Sequence, residues 1–131
     1  MTEDNVKHVQ QIYEAIGRAD IPTVVRMMTD DVQIRFPGTA AIPFAGTHRG
    51  AEGVGQFFQA IGANVTIHQF EPREFIAQGD QVVVLGHEQL TATPTGCPWE
   101  TDWAMVWTLR DSRVSLLREF HDTDAIAAAF R

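Results

Sequence analysis

Glu119 and His121 stand two residues apart near the end of the chain, on one face of an extended segment that also carries Leu117. A carboxyl and an imidazole among apolar groups are the pair that proton transfer near neutral pH needs, because both are tuned by burial and by neighbours. A second acid, Glu88, lies in Val82-Val-Val-Leu-Gly-His-Glu-Gln-Leu90, on the face shared by Val82, Val84, Gly86 and Leu90. An acid in an apolar row is costly without a partner. Two carboxyls that converge divide into an acid and a base. Trp99, Thr101, Trp103, Met105, Trp107 and Leu109 alternate along a further segment and would wall such a site, Trp103 offering a flat surface to a cyclic ligand. The pattern of Arg113–His121 leaves one choice open. With Val114, Leu116, Arg118 and Phe120 inward, Glu119 would face solvent or a partner subunit instead.

The elements that position these groups follow from periodicity. Glu3 and Asp4 open a first helix with Val6, Val9, Ile12, Tyr13 and Ile16 as its apolar stripe, and Asp20 with Pro22 starts a second. Val32–Phe36 reads as a short strand, followed by a loop to His48 and a third helix over Gly50–Ile61 that buries Val54, Phe57, Phe58 and Ile61. Asn64–Ala77, Gln81–Thr93, Pro98–Arg110 and Arg113–His121 read as strands joined by hairpin turns, with Pro72 marking a bulge or an edge. Asp122 or Thr123 caps a closing helix, which makes capping the stronger role for Asp122 and base chemistry the weaker. The order α-α-β-α-β-β-β-β-α predicts an α+β fold with a curved antiparallel sheet.

At 131 residues the chain suits one domain, 1–131, with 44% hydrophobic and 21% charged residues. A net charge of −7 argues against nucleic acid, and no apolar run is long enough for a membrane span. The start, Met1-Thr-Glu-Asp, lacks the features of a secretion signal, and the lone Cys97, set in a turn, reads as an ordinary thiol; a cytoplasmic protein is expected. His8, His48, His68 and His87 are scattered, so neither metal nor cofactor is expected. Phosphate-binding loops, nucleophile elbows and dinucleotide fingerprints do not occur.

Several stretches carry a resemblance to a known superfamily along nearly the whole chain. Gly17-Arg-Ala-Asp20 with Met28-Thr-Asp-Asp-Val32, Phe44-Ala-Gly-Thr-His-Arg-Gly50 with Phe57-Phe58, and Leu109-Arg-Asp-Ser-Arg-Val114 with Arg118-Glu-Phe-His-Asp-Thr123 resemble the nuclear transport factor 2-like (NTF2-like) fold, in its SnoaL-like, ketosteroid isomerase-related branch. The resemblance implies a cone-shaped, cystatin-like α+β barrel, its sheet wrapped around the first helix, a pocket at the wide end, and a homodimer through the outer sheet face. Ketosteroid isomerases carry an aspartate before a proline where this chain has Phe36 before Pro37, and their helix-1 tyrosine falls on or beside Ile12, with Tyr13 one position away. Against the limonene-type epoxide hydrolases, Glu88 and Glu119 match the two acids and Gly86 stands at the arginine. Gln33 and Arg35 match the residues that help hold water, and Leu90, Thr101, Trp103, Leu117, His121 and Ile126 match pocket positions.

These readings predict a cofactor-independent acid/base enzyme of isomerase, polyketide cyclase or hydrolase type, acting on a small apolar or cyclic substrate. Glu119 would be general base or acid, Glu88 and Arg35 would orient water or an enolic oxygen, and His121 would assist, although a satisfied structural group is the stronger reading for a histidine at a strand end. Gln33, Phe58, Leu90, Thr101, Trp103, Leu117 and Ile126 would bind substrate. Glu88 is read equally as a structural ion-pair partner of Arg35, and Tyr13 as core or rim. A non-catalytic dimeric protein that binds a small ligand is the alternative from another class, and protein transport the least supported.

Overall fold

The computed structural model describes residues 2–131. In chain order it forms α1 (Thr2–Gly17), α2 (Ile21–Arg26), β1 (Met28–Phe36), β2 (Gly46–Arg49), α3 (Gly50–Asn64), β3 (Val65–Gln78), β4 (Gln81–Ala92), β5 (Cys97–Arg110), β6 (Arg113–Phe120) and α4 (Thr123–Ala129). The fold is α+β. One six-stranded sheet runs in the order β2-β1-β6-β5-β4-β3, with every neighbouring pair antiparallel except β1 and β6, which are parallel.

Alternation decides which face of each strand is buried. Inward residues of β5 from Trp99 to Leu109 are buried, Thr101 excepted, while β4 buries Val82, Val84, Gly86, Glu88, Leu90 and Ala92. The apolar stripe of α1 is the other half of this core, with Val9, Ile12 and Ala15 fully enclosed. Asp20 caps α2 by accepting from the Thr23 N–H, and Asp111-Ser112 closes the last hairpin with positive φ at both residues, 53° and 66°, the mirror-image turn that suits twisted strands. Pro72 satisfies both expectations set for it. It lies on β3, which pairs only with β4, and the register shifts between Pro72 and Glu74.

Three elements differ from the sequence reading by more than a residue, α3 running on to Asn64 instead of ending at Ile61. β1 begins at Met28, four residues early, and Gly46–Arg49 forms an edge strand where a loop is expected. Neither stretch alternates, because β2 is held by its ladder to β1 and buries almost nothing of its own.

β6 resolves the choice between its two faces by using neither alone. Thr108 pairs with Leu116 but Leu109 pairs with Val114, so Ser115 is an extra residue, a bulge. The inserted residue lets Val114, Leu117 and Glu119 all point inward, while Leu116, Arg118 and Phe120 point out.

At Gly86 the two sheet partners are Pro72 and Trp103. A Cβ added there would run into the Trp103 indole and the Glu71 carbonyl oxygen, so the backbone position admits only glycine. Gly86→Ala is expected to lower the free energy of unfolding by about 1–3 kcal/mol through overpacking, measured by urea denaturation. A stability equal to wild type would mean that the indole moves freely.

Candidate active site

β4 and β6 flank β5, so their inward side chains reach toward each other across its inner face. Glu88 stands opposite Thr101 and Glu119 opposite Met105. Both glutamates point in, at 3% and 5% exposure. His121, the first residue after β6, makes this arrangement tolerable. Its Nε2 donates to Glu119 Oε1 at 2.9 Å, and its Nδ1 lies 3.4 Å from Glu88 Oε1, out of line for a hydrogen bond. The second Glu88 oxygen, Oε2, accepts from Trp99 Nε1 at 2.8 Å. Phe36 stacks on the imidazole, with ring centroids 4.7 Å apart.

Charge follows from this geometry. Burial alone pushes the His121 imidazolium down, but the hydrogen bond to Glu119 and the nearby Glu88 carboxylate outweigh it and hold its pKa up to about 9. At neutral pH the ring is therefore a cation shared between acids from two strands. Glu119 Oε2 has no hydrogen-bond partner among the described residues and is not sealed off, so it opens onto the adjoining space.

That space is a cavity of about 740 Å³, within the size range of small-molecule sites, with walls that are chiefly apolar. Tyr13 enters it from α1. Its hydroxyl accepts from Trp107 Nε1 at 3.0 Å and donates to Met105 Sδ at 3.2 Å. A thioether is a weak acceptor, so this proton is readily redirected to a ligand oxygen. Burial keeps the phenol well above its ordinary pKa, against the Trp107 N–H that lowers it and with the Glu119 charge that raises it.

Of the residues singled out from sequence, Glu88, Glu119, His121, Phe58, Leu90 and Leu117 line this cavity. Gln33 and Arg35 do not. β1 buries Val32, Ile34 and Phe36, which turns the odd-numbered side chains to the outer face, where Arg35 donates to Gln33 Oε1 at 3.2 Å. The expected Glu88–Arg35 pair is absent, and His121 supplies the cation instead. Trp103 falls behind the wall, stacked on Phe70 at 4.9 Å and on Tyr13 at 6.1 Å. Thr101 spends its hydroxyl on the Asp102 carbonyl, and Ile126 is wholly enclosed in the core under α4. Asp122 caps α4 by accepting from the Ala125 N–H, and His87 faces outward between Asp102 and Glu100. The sequence reading put Trp99 and Trp107 in the wall and Tyr13 at the core or rim, but missed the hydrogen bonds by which Trp99 holds Glu88 and Trp107 holds Tyr13. A signal was present, since a buried indole N–H usually finds an acceptor, and Trp99 lies diagonally across the ladder from Glu88.

Comparison with known proteins gives a consistent picture. A family model described as a SnoaL-like domain matches residues 9–117. An NTF2-like protein from Burkholderia xenovorans LB400 is 35% identical with a TM-score of 0.93, covering 100% of this chain and 98% of that one. A second, from Burkholderia pseudomallei K96243, is 27% identical with a TM-score of 0.88 and 97% coverage of both chains. TerC, crystallised with polyporic acid, is 27% identical with a TM-score of 0.86, covering 97% of this chain and 98% of that one. No curated protein matches the chain.

The charge on His121 ties stability to pH. An imidazole in the unfolded chain titrates near 6.5, and the folded value of about 9 lies above it. The resulting stabilisation, about 3 kcal/mol, is complete below about pH 6.5 and is lost as pH rises through about 9. Urea denaturation at pH 6, 8 and 10 is expected to show this fall in wild type and its absence in His121→Gln. Parallel profiles for the two proteins would contradict it.

Proposed function

The chain belongs to the SnoaL-like family of NTF2-like proteins, and on that footing we propose that it is a cofactor-independent acid/base enzyme acting on a small, largely apolar, cyclic substrate with an enolisable carbonyl. The observation that carries this reading is the single free oxygen of Glu119, opening onto an apolar cavity while its other oxygen is held by His121. Glu119 Oε2 takes a proton from the carbon beside the carbonyl. The C–H electron pair becomes the enolate double bond, and the carbonyl π pair moves to oxygen. Tyr13 turns its O–H from Met105 to that oxygen as negative charge develops. Where the enolate is conjugated with a further double bond, Glu119 returns the proton to the far carbon, giving isomerisation. Alternatively the enolate carbon attacks a second carbonyl of the same molecule, whose π pair moves to oxygen, and Glu119 gives its proton to that alkoxide, giving aldol-type cyclisation.

Water activation is less well supported, because the residues matched to water holding, Gln33 and Arg35, lie on the far side of the sheet. A binding role without turnover has one observation in its favour: most polar atoms of the site are already paired within the protein. Polyporic acid, the compound crystallised with TerC, is the first ligand to offer. A cytoplasmic setting suits the lone, exposed Cys97 thiol.

We also propose a homodimer through the outer sheet face. On one half of that face Arg35 and Arg118 have no acidic partner among the described residues, while on the other Glu100 and Asp102 crowd His87. Phe120, half exposed, stands between. A two-fold axis would set each cationic half on an acidic half.

Deuterium incorporation from solvent into a panel of cyclic ketones, followed by NMR, is expected in wild type. It should fall by roughly 100–10,000-fold in Glu119→Gln and by about 100-fold or more in Tyr13→Phe. Equal rates for wild type and Glu119→Gln would remove Glu119 from the chemistry, and tight binding without exchange would favour the binding role. Sedimentation velocity is expected to give a dimer that Phe120→Glu dissociates; a wild-type monomer at tens of micromolar would refute the interface.

A further inference from the structure

β5 carries three inward tryptophans, and their indole N–H groups are treated differently. Trp99 donates to Glu88 and Trp107 to Tyr13, and both line the cavity. Trp103 does not line it, and its Nε1 is buried with no partner. The core therefore accepts a tryptophan whose N–H goes nowhere, and the two N–H groups that are placed both end on site residues.

We propose that Trp99 is a positioning residue for the row Glu88–His121–Glu119, setting through Glu88 where the imidazolium stands and so which oxygen of Glu119 faces a ligand. The inference rests on the reading of Glu119 as the reactive acid, but its geometry is independent of any substrate. A glutamate has three side-chain torsions and loses much freedom on burial. The 2.8 Å bond from a rigid indole to Oε2 fixes the Glu88 carboxylate so that Oε1 is turned to His121 Nδ1. Without that donor the carboxylate is free to turn away, and the imidazolium loses the negative charge beside Nδ1.

Trp99 is itself clamped. Its ring packs on Phe130 at 5.7 Å, Phe130 on Phe44 at 5.9 Å, Phe44 on Phe36 at 4.9 Å, and Phe36 on His121 at 4.7 Å. Trp99 and His121 are thus joined twice, through Glu88 by polar contacts and through the three rings Phe130, Phe44 and Phe36 by packing. The residue after α4 is a member of that ring series, so the end of the chain holds the indole against the acid.

The test is an NMR titration of the His121 ring in wild type, Trp99→Phe and Trp103→Phe, with the resonance assigned by its loss in His121→Gln. Trp99→Phe keeps an aromatic ring but removes the N–H together with part of the indole's bulk, a loss of bulk that Trp103→Phe shares, and is expected to weaken proton binding at His121 about tenfold or more. Trp103→Phe removes an unpartnered N–H and is expected to leave it within about twofold. Equal effects, or none from Trp99→Phe, would overturn the proposal. Should Trp99→Phe fail to fold, Glu88→Gln decides the matter: the Trp99 indole proton, slow to exchange in wild type, is expected to shift and exchange faster, and no change would overturn it. The titration needs no turnover, so its failure is distinct from a failure of Glu119→Gln to alter deuterium exchange.

Discussion

A buried imidazolium needs negative charge on hand, and that need organises this molecule. The His121 side chain is 3% exposed, and removing such a cation from water costs several kcal/mol unless partners repay it. One carboxylate from each of two strands does so. Because β4 and β6 are both neighbours of β5, inward side chains at Glu88 and Glu119 approach a common point only if both registers are right. A shift of one residue in either strand would turn its acid to the opposite face. The requirement is thus one of register as much as of charge.

How much of this was legible in the sequence depends on the element. β4 and β5 alternate without interruption over the site, and the inward placement of Glu88, Leu90 and the tryptophans could be read directly. β6 could not be read that way, because Ser115 breaks its period and both faces present apolar residues. Arg35 was misplaced for a different reason. Alignment put it near the acids, but Val32, Ile34 and Phe36 follow strict alternation, and that pattern alone sends Arg35 outward. The pairing of His121 with Glu119 followed from their spacing, but the approach of His121 to Glu88 was illegible, since it depends on how far β6 runs before the chain leaves the sheet. Tyr13 fell between core and site because it is both, packed on Phe75 and Trp107 while its hydroxyl faces the cavity.

The sheet holds two histidine–carboxylate groupings back to back. His87 and Glu88 are consecutive, so one points outward to Glu100 and Asp102 and the other inward to His121. The outer histidine is also raised, by its hydrogen bonds to Asp102 and Glu100 against some desolvation, but its partners are largely in water. Exposed pairs of that kind contribute little to stability. The inner grouping likewise sets one histidine between two carboxylates but has a different consequence, because burial strengthens each interaction and penalises each missing one. Position relative to the sheet, not residue type, separates a surface cluster from a candidate site.

The choice of histidine as the central cation follows from what surrounds Gly86. Gly86 is the inward position next to Glu88 on β4, and the Trp103 indole already occupies the space a side chain would need there. With that route filled, the positive charge must enter from the far side of β5, and the end of β6 is the place where a side chain can reach both acids. Imidazole is compact enough to stack beneath Phe36 while touching Glu119 and facing Glu88. A guanidinium would stay charged at any accessible pH. The imidazolium stays charged only to about pH 9, so the tryptophan that fills the barrel at Gly86 also makes the buried charge arrangement titratable. Packing at one position thereby sets the chemistry available at another.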